Sequence, residues 1–185
     1  HPDAVPIYRQ ALHAYNSGRH DSAGFLFERV LEISPKFLPA MLRLSFCCMN
    51  VEDLDGAVHH AKEAFKFDPS PKNEAFYARM LILKEDSLLY DEAFRHAGNA
   101  AEKAPDDFLV QEIWMLAGLY TMDIDALLAG SHRVIEIAPD YPWGHFYAGL
   151  AYASEGKWPE AEAALLRTRE LGADPEAVEE FLEEV

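Results

Sequence analysis

Four short phrases, LEISP, FKFDP, AEKAP and IEIAP, close on Pro35, Pro69, Pro105 and Pro139, at spacings of 34, 36 and 34 residues. A fifth, RELGADP, reaches Ala173 one period further on. Self-similarity at a period of roughly 20–50 residues marks an array of stacked supersecondary units rather than a fold closed around one core. The phase extends well beyond the prolines. Twelve residues before each closing point stand Ala23, Ala57, Ala93, Leu127 and Ala161, and eight before stand Phe27, Ala61, Ala97, Ser131 and Leu165. Gly18 and Gly156 hold the position seventeen residues before the first and last closing points.

Each copy carries two stretches of about 13 residues whose apolar positions recur at i, i+3, i+4 and i+7, the period of an amphipathic helix. In the first copy these are residues 5–16 and 21–33, parted by the Gly18 turn. Asp21 reads as an N-cap and Pro35 as the stop of the second helix. Ala11 and Ala23 are small enough to let the two helices cross closely. No segment alternates apolar and polar residues long enough to suggest a strand.

This helix-turn-helix unit of 34 residues resembles the tetratricopeptide repeat. The last copy is most similar, through Gly149, Tyr152, Gly156 and Ala161, and the first matches through Gly18, Ala23, Phe27 and Pro35. The fourth departs furthest, with Met115, Leu127 and Ser131 where the family has small or aromatic residues. The third has two extra residues, placed either before its first helix (SPKN) or in its hairpin loop (KEDSLLYD).

The resemblance implies an all-α fold, a right-handed α-solenoid of five units at about 4–37, 38–71, 72–107, 108–141 and 142–174, forming one domain. Residues 175–185 read as a capping helix, with Val178, Phe181, Leu182 and Val185 on one face and Glu179, Glu180, Glu183 and Glu184 elsewhere. Such a cap covers the apolar side that the last repeat would otherwise expose.

In this fold the first helix of each unit lines a concave face. Helical phase assigns to it Tyr8, Leu42, Ala78, Glu112 and Phe146 in one column. Leu12, Phe46, Ile82, Leu116 and Leu150 form the next, and Tyr15, Met49, Glu85, Leu119 and Ala153 a third. Trp143 belongs beside Phe146. Most of these are large and apolar at positions that stacking does not bury, the expected character of a binding surface; the competing reading is that a tight superhelix packs them against one another. One residue on from the first column stand Arg9, Arg43 and Arg79, which would form a guanidinium strip suited to carboxylates. The alternative is that nearby acids such as Glu52 or Glu74 pair with them. The clamp with which some members of the family hold an acidic chaperone C-terminus is not reproduced. Its positions read Tyr8, Leu12, Arg43, Ala75 and Arg79, of which only the last fits.

Charge and chemistry narrow the function further. With 32 Asp and Glu against 16 Lys and Arg, the net charge is −16, which disfavours phosphate backbones and anionic membrane surfaces. No apolar run reaches the roughly 18 residues of a membrane span, the best being broken by Arg43, Arg79 and Glu112. Adjacent Cys47 and Cys48 suit neither a disulfide nor a C-x-x-C site. With no signal peptide at the start, a cytoplasmic location is the expectation. His59, His60, His96, His132 and His145 lack metal-ligand spacing, and no G-x-S-x-G, Walker A or G-x-G-x-x-G occurs. Asp106, Asp107, Asp123 and Asp125 sit at turns, where capping accounts for them. No catalytic residue, metal site or cofactor is therefore expected. The expected function is a non-enzymatic scaffold that holds a peptide or amphipathic helix of another protein, acidic in character. The alternative is a self-assembling structural protein in which the groove of one copy meets the tail of another.

Overall fold

The computed structural model describes residues 1–173, and the regular elements in that span are helical. They are α1 (Ala4–Asn16), α2 (His20–Ile33), α3 (Leu38–Asn50), α4 (Leu54–Phe67) and α5 (Pro71–Leu83), then a 3-10 turn (Ser87–Leu89). After it come α6 (Tyr90–Lys103), α7 (Phe108–Thr121), α8 (Ile124–Ile137), α9 (Pro142–Ser154) and α10 (Trp158–Glu170). The capping helix expected over 175–185 lies outside the described residues. The chain divides into two compact units, residues 1–86 with α1–α5 and residues 87–185 with α6–α10. Within each unit every helix packs on the next in sequence, the arrangement of a nearest-neighbour array.

The helix starts follow from local chemistry. The carboxylates of Asp53, Asp107 and Asp123 accept from the backbone N–H of Gly56, Val110 and Ala126, capping α4, α7 and α8. Proline occupies the first turn of α3, α5, α9 and α10, where its missing N–H costs nothing. The expected cap at Asp21 is corrected. Helix α2 starts at His20 with Arg19 at the N-cap, making no side-chain capping bond, and Asp21 falls inside the first turn, where its charge still favours the helix dipole.

Small residues set the helix crossings. Ala11, Ala23, Ala57, Ala93 and Ala161 are all at most 1% exposed. In the fourth copy the close approach moves to different positions. A Cβ built on Gly118 would lie 2.5 Å from the Leu127 nitrogen, and one built on Gly130 would lie 2.7 Å from the Met115 Cα. These two glycines make room for the large residues that replace the usual small ones.

The third copy's extra length resides in its hairpin loop. Six residues, 84–89, join α5 to α6, where three suffice at 17–19, 51–53 and 155–157. The link before α5 is one residue short, so the N-caps of α3 and α5, Phe37 and Ser70, stand 33 residues apart rather than 34. Buried positions follow that offset: Leu44 matches Tyr77, Ser45 matches Ala78, and Cys48 matches Leu81.

Candidate functional site

In the unit formed by α1–α5, Tyr8, Leu12 and Tyr15 share one face of α1, and Leu42, Phe46 and Met49 share one face of α3. All six are half-buried. Their rings are fixed by neighbours rather than left loose. Tyr8 meets Phe37 edge-on at 4.9 Å between centroids and lies 5.8 Å from Phe27. Tyr15 stands 5.2 Å from the His20 ring, and Phe46 lies 4.9 Å from Phe76. Such pairs restrict ring motion and pre-organise an aromatic surface.

The Arg43 guanidinium lies 4.9 Å over the centre of the Tyr15 ring. A cation–π contact of this length seats the guanidinium over the aromatic face. No ion pair ties Arg43 to a carboxylate among the described residues, so the alternative of pairing with a nearby acid such as Glu52 is not realised at Arg43. Arg43 also acts inward, lowering the Cys47 thiol pKa; burial outweighs it and pushes that thiol up to about 11.

The three expected arginines do not form one strip. Arg9 is exposed and lines an open cleft of about 420 Å³ between α1 and α2, with Gln10, His13 and Arg19. The 33-residue offset of α5 carries Arg79 to the position matching Phe46, and it puts Phe76 where Arg43 would recur. The same offset explains why Ala78, expected on the open face, is 0% exposed, since it matches the buried Ser45; Ile82, which matches the half-buried Met49, is 3% exposed, and the offset does not account for its burial. Phe76 is the residue that sequence phase missed; a one-residue shift in helix start was enough to hide it.

In the unit formed by α6–α10, Leu116 and Leu119 of α7 and Trp143 and Leu150 of α9 are half-buried, whereas Phe146 is 7% exposed. Phe146 packs against Trp143 at 5.4 Å and joins Leu165 and Ala173 in a core cluster, so it is structural rather than surface. Glu112, Leu116, Trp143 and Tyr147 line a shallow cavity of about 230 Å³. Here the polar group is an acid: the Glu112 carboxylate accepts from the Tyr141 hydroxyl at 2.5 Å. Burial, then the neighbouring Tyr120 and Glu112, pushes the Tyr147 phenol upward. The face of this unit is thus aromatic and slightly acidic, unlike that around Arg43.

The histidines and acids singled out from the sequence do not converge. No group of three His, Cys, Asp or Glu side chains suited to a metal ion occurs among the described residues. Cys47 and Cys48 are buried free thiols. No helix among these residues is long and apolar enough to cross a membrane.

No protein-family model and no curated protein matches the chain. Solved structures do. MamA from Desulfovibrio magneticus RS-1 superposes with a TM-score of 0.81 at 14% identity, over 91% of this chain and 94% of that one. YrrB, described as a TPR protein with an unusual peptide-binding site, gives 0.78 at 16% identity, over 97% and 92%. A second MamA structure gives 0.77 at 17% identity, over 87% and 93%. Identities this low speak for the fold and not for a shared ligand.

Proposed function

We propose that this chain, which has the tetratricopeptide-repeat fold, is a non-enzymatic interaction scaffold. Its α1/α3/α5 face takes an acidic, aromatic-containing segment of another protein. The observation that carries this reading is Arg43: a half-buried guanidinium stacked on Tyr15, without a carboxylate partner, in a chain whose acids outnumber its bases two to one. An unpaired, oriented guanidinium is a bidentate receptor for a carboxylate. The flanking Leu12, Phe46 and Met49 supply apolar area for an adjacent ring. That YrrB is described as having a peptide-binding site shows what the fold supports in another protein, with no transfer of its residues.

The test is fluorescence anisotropy with labelled Asp/Glu-Phe peptides and their Lys-substituted counterparts. Arg43→Glu should weaken the acidic peptides by tenfold or more, the order expected for losing a hydrogen bond to a charged group. Phe46→Ser should weaken them while leaving far-UV circular dichroism unchanged. Equal binding by parent and Arg43→Glu would refute the reading. A mass in light scattering that rises with concentration, and is lost on removal of residues 176–185, would replace it with self-assembly.

A further inference from the structure

The unit formed by α6–α10 carries a second feature that the Arg43 face does not use. Where α7 turns into α8 and α9 into α10, a cavity of about 390 Å³ opens between the two hairpins, lined by Leu119, Met122, Leu127, Leu150, Trp158 and Leu165. Its size lies within the range of pockets that hold a ligand or a buried anchor side chain. Its hydrogen-bonding capacity is nearly used up, since Ser154 Oγ donates to the Leu150 carbonyl at 3.0 Å. A charged or strongly polar occupant would be left unpaired there, so the pocket selects apolar groups.

Two residues at its mouth are costly where they stand. Met122 adopts φ 58° and is 78% exposed, at a left-handed turn position that Gly18 and Gly156 fill in two other hairpins and Glu52 and Glu85 in the remaining two. A side chain in the left-handed region is strained, and this one gains no core burial in return. Trp158 is 49% exposed. A flexible thioether and a broad indole flanking an apolar pocket are the groups most often found at adaptable protein-binding surfaces. Exposed acids adjoin the lining residues in the chain. Asp123 and Asp125 flank Ile124, and Glu162 lies one turn beyond Trp158 on α10, while Glu155 pairs with Lys157 at 3.0 Å.

We propose that this pocket is a second docking site and that its occupant is a cationic amphipathic segment of a partner protein. One aromatic or leucine side chain enters between α7/α8 and α9/α10, and flanking lysines or arginines meet Asp123, Asp125 and Glu162. The chain then presents two sites of opposite preference, one in each unit.

The test uses the full chain and a labelled synthetic peptide with two leucine or tryptophan anchors four residues apart, flanked by lysines. Anisotropy should report saturable binding. Ala153→Trp, which fills the pocket, and the surface double variant Asp125→Lys/Glu162→Lys should each weaken it at least tenfold. Arg43→Glu should leave it within twofold, which separates this site from the first. Should Ala153→Trp fail to fold, the rim variant decides. Undiminished binding by a peptide whose anchors are serines would overturn the proposal, because the contact would then be charge alone. So would undiminished binding to a folded Ala153→Trp protein. Binding of sodium laurate without binding of the peptide would assign the pocket to a hydrocarbon chain and overturn it likewise.

Discussion

Replacing Gly130 by alanine sets two effects of known size against each other. Gly130 sits inside α8, and a Cβ there would lie 2.7 Å from the Met115 Cα, 2.8 Å from its nitrogen and 2.9 Å from its Cβ. Carbon atoms pack at roughly 3.5–4.0 Å, so α7 and α8 must part by close to an ångström. The obstacle is backbone, and no rotamer change relieves it. Overpacking of this kind costs about 1–3 kcal/mol, and a backbone clash belongs at the upper end. Alanine returns about 1 kcal/mol of helix propensity. The net expectation is a loss of about 1–2 kcal/mol. Gly24→Ala is the matched control. Its Cβ would rest 3.5 Å from the Cys47 Cβ and 3.7 Å from Leu44 Cδ1, ordinary contact distances, so propensity wins and the protein gains up to about 1 kcal/mol. The chain's 3 tryptophans, Trp114, Trp143 and Trp158, all lie in the second unit. Urea titration followed by tryptophan fluorescence therefore reports that unit, while far-UV circular dichroism reports both. With a urea slope of about 2 kcal/mol/M, the middle of the usual range, Gly130→Ala should lower the fluorescence midpoint by about 0.5–1 M. A midpoint equal to or above the parent's would mean that the α7/α8 crossing relaxes freely, and the packing argument would be wrong.

Met122→Gly should raise the same fluorescence midpoint, by an amount corresponding to about 1 kcal/mol, because glycine occupies φ 58° without strain. In the anisotropy assay with the lysine-flanked peptide it should at the same time weaken binding. Burial raises the Cys47 thiol to about 11, and burial together with the Asp53 carboxylate raises Cys48 to about 12. Unfolded thiols titrate near 8.5, so this contribution to stability is complete below about pH 8.5 and is lost as pH climbs through the folded values. Thermal midpoints should fall above about pH 9 in the parent and fall less in Cys47→Ala/Cys48→Ala. Iodoacetamide at pH 8 should label the native protein far more slowly than the urea-unfolded one; equal rates would show that the thiols are not buried.

The period in the sequence was sufficient for the architecture because every copy obeys the same packing rule. Small residues recur where helices cross, and Ala11, Ala23, Ala57, Ala93 and Ala161 are buried as their phase requires. The candidate site was less legible, for two physical reasons. Counting back from Pro105 assumes a constant hairpin loop, and the six residues at 84–89 break that assumption. The added loop length moves Arg79, Ala78 and Ile82 three positions along the face of α5 and puts Phe76 in the place of Arg43. Periodicity also gives a side chain's direction but not its neighbours. Phe146 has the phase of a surface residue, yet Trp143 and Leu165 enclose it. Phase puts Arg43 one residue on from Leu42, while its seat on Tyr15 arises from a contact between repeats that no single copy encodes.

The pocket beside Met122 illustrates the same limit from the other direction. A hairpin loop that lacks glycine reads in sequence as a weak turn, and a methionine there carries no chemical motif. Its meaning comes from combining backbone conformation, exposure and the apolar space beneath it. In a stacked array the positions shared by all copies are spent on holding neighbours together, so they say nothing about what the protein binds. Selectivity must reside in residues that break the repeat: an arginine over a tyrosine in one unit, a strained methionine and an exposed tryptophan in the other. The two breaks differ in charge, since Arg43 is cationic and the residues adjoining the second pocket in the chain include the exposed Asp123, Asp125 and Glu162. The overall charge of −16 acts on both at long range, hastening the approach of a basic segment and slowing that of an acidic one. Screening within about 8–10 Å at physiological salt then leaves the local groups to decide which segment stays.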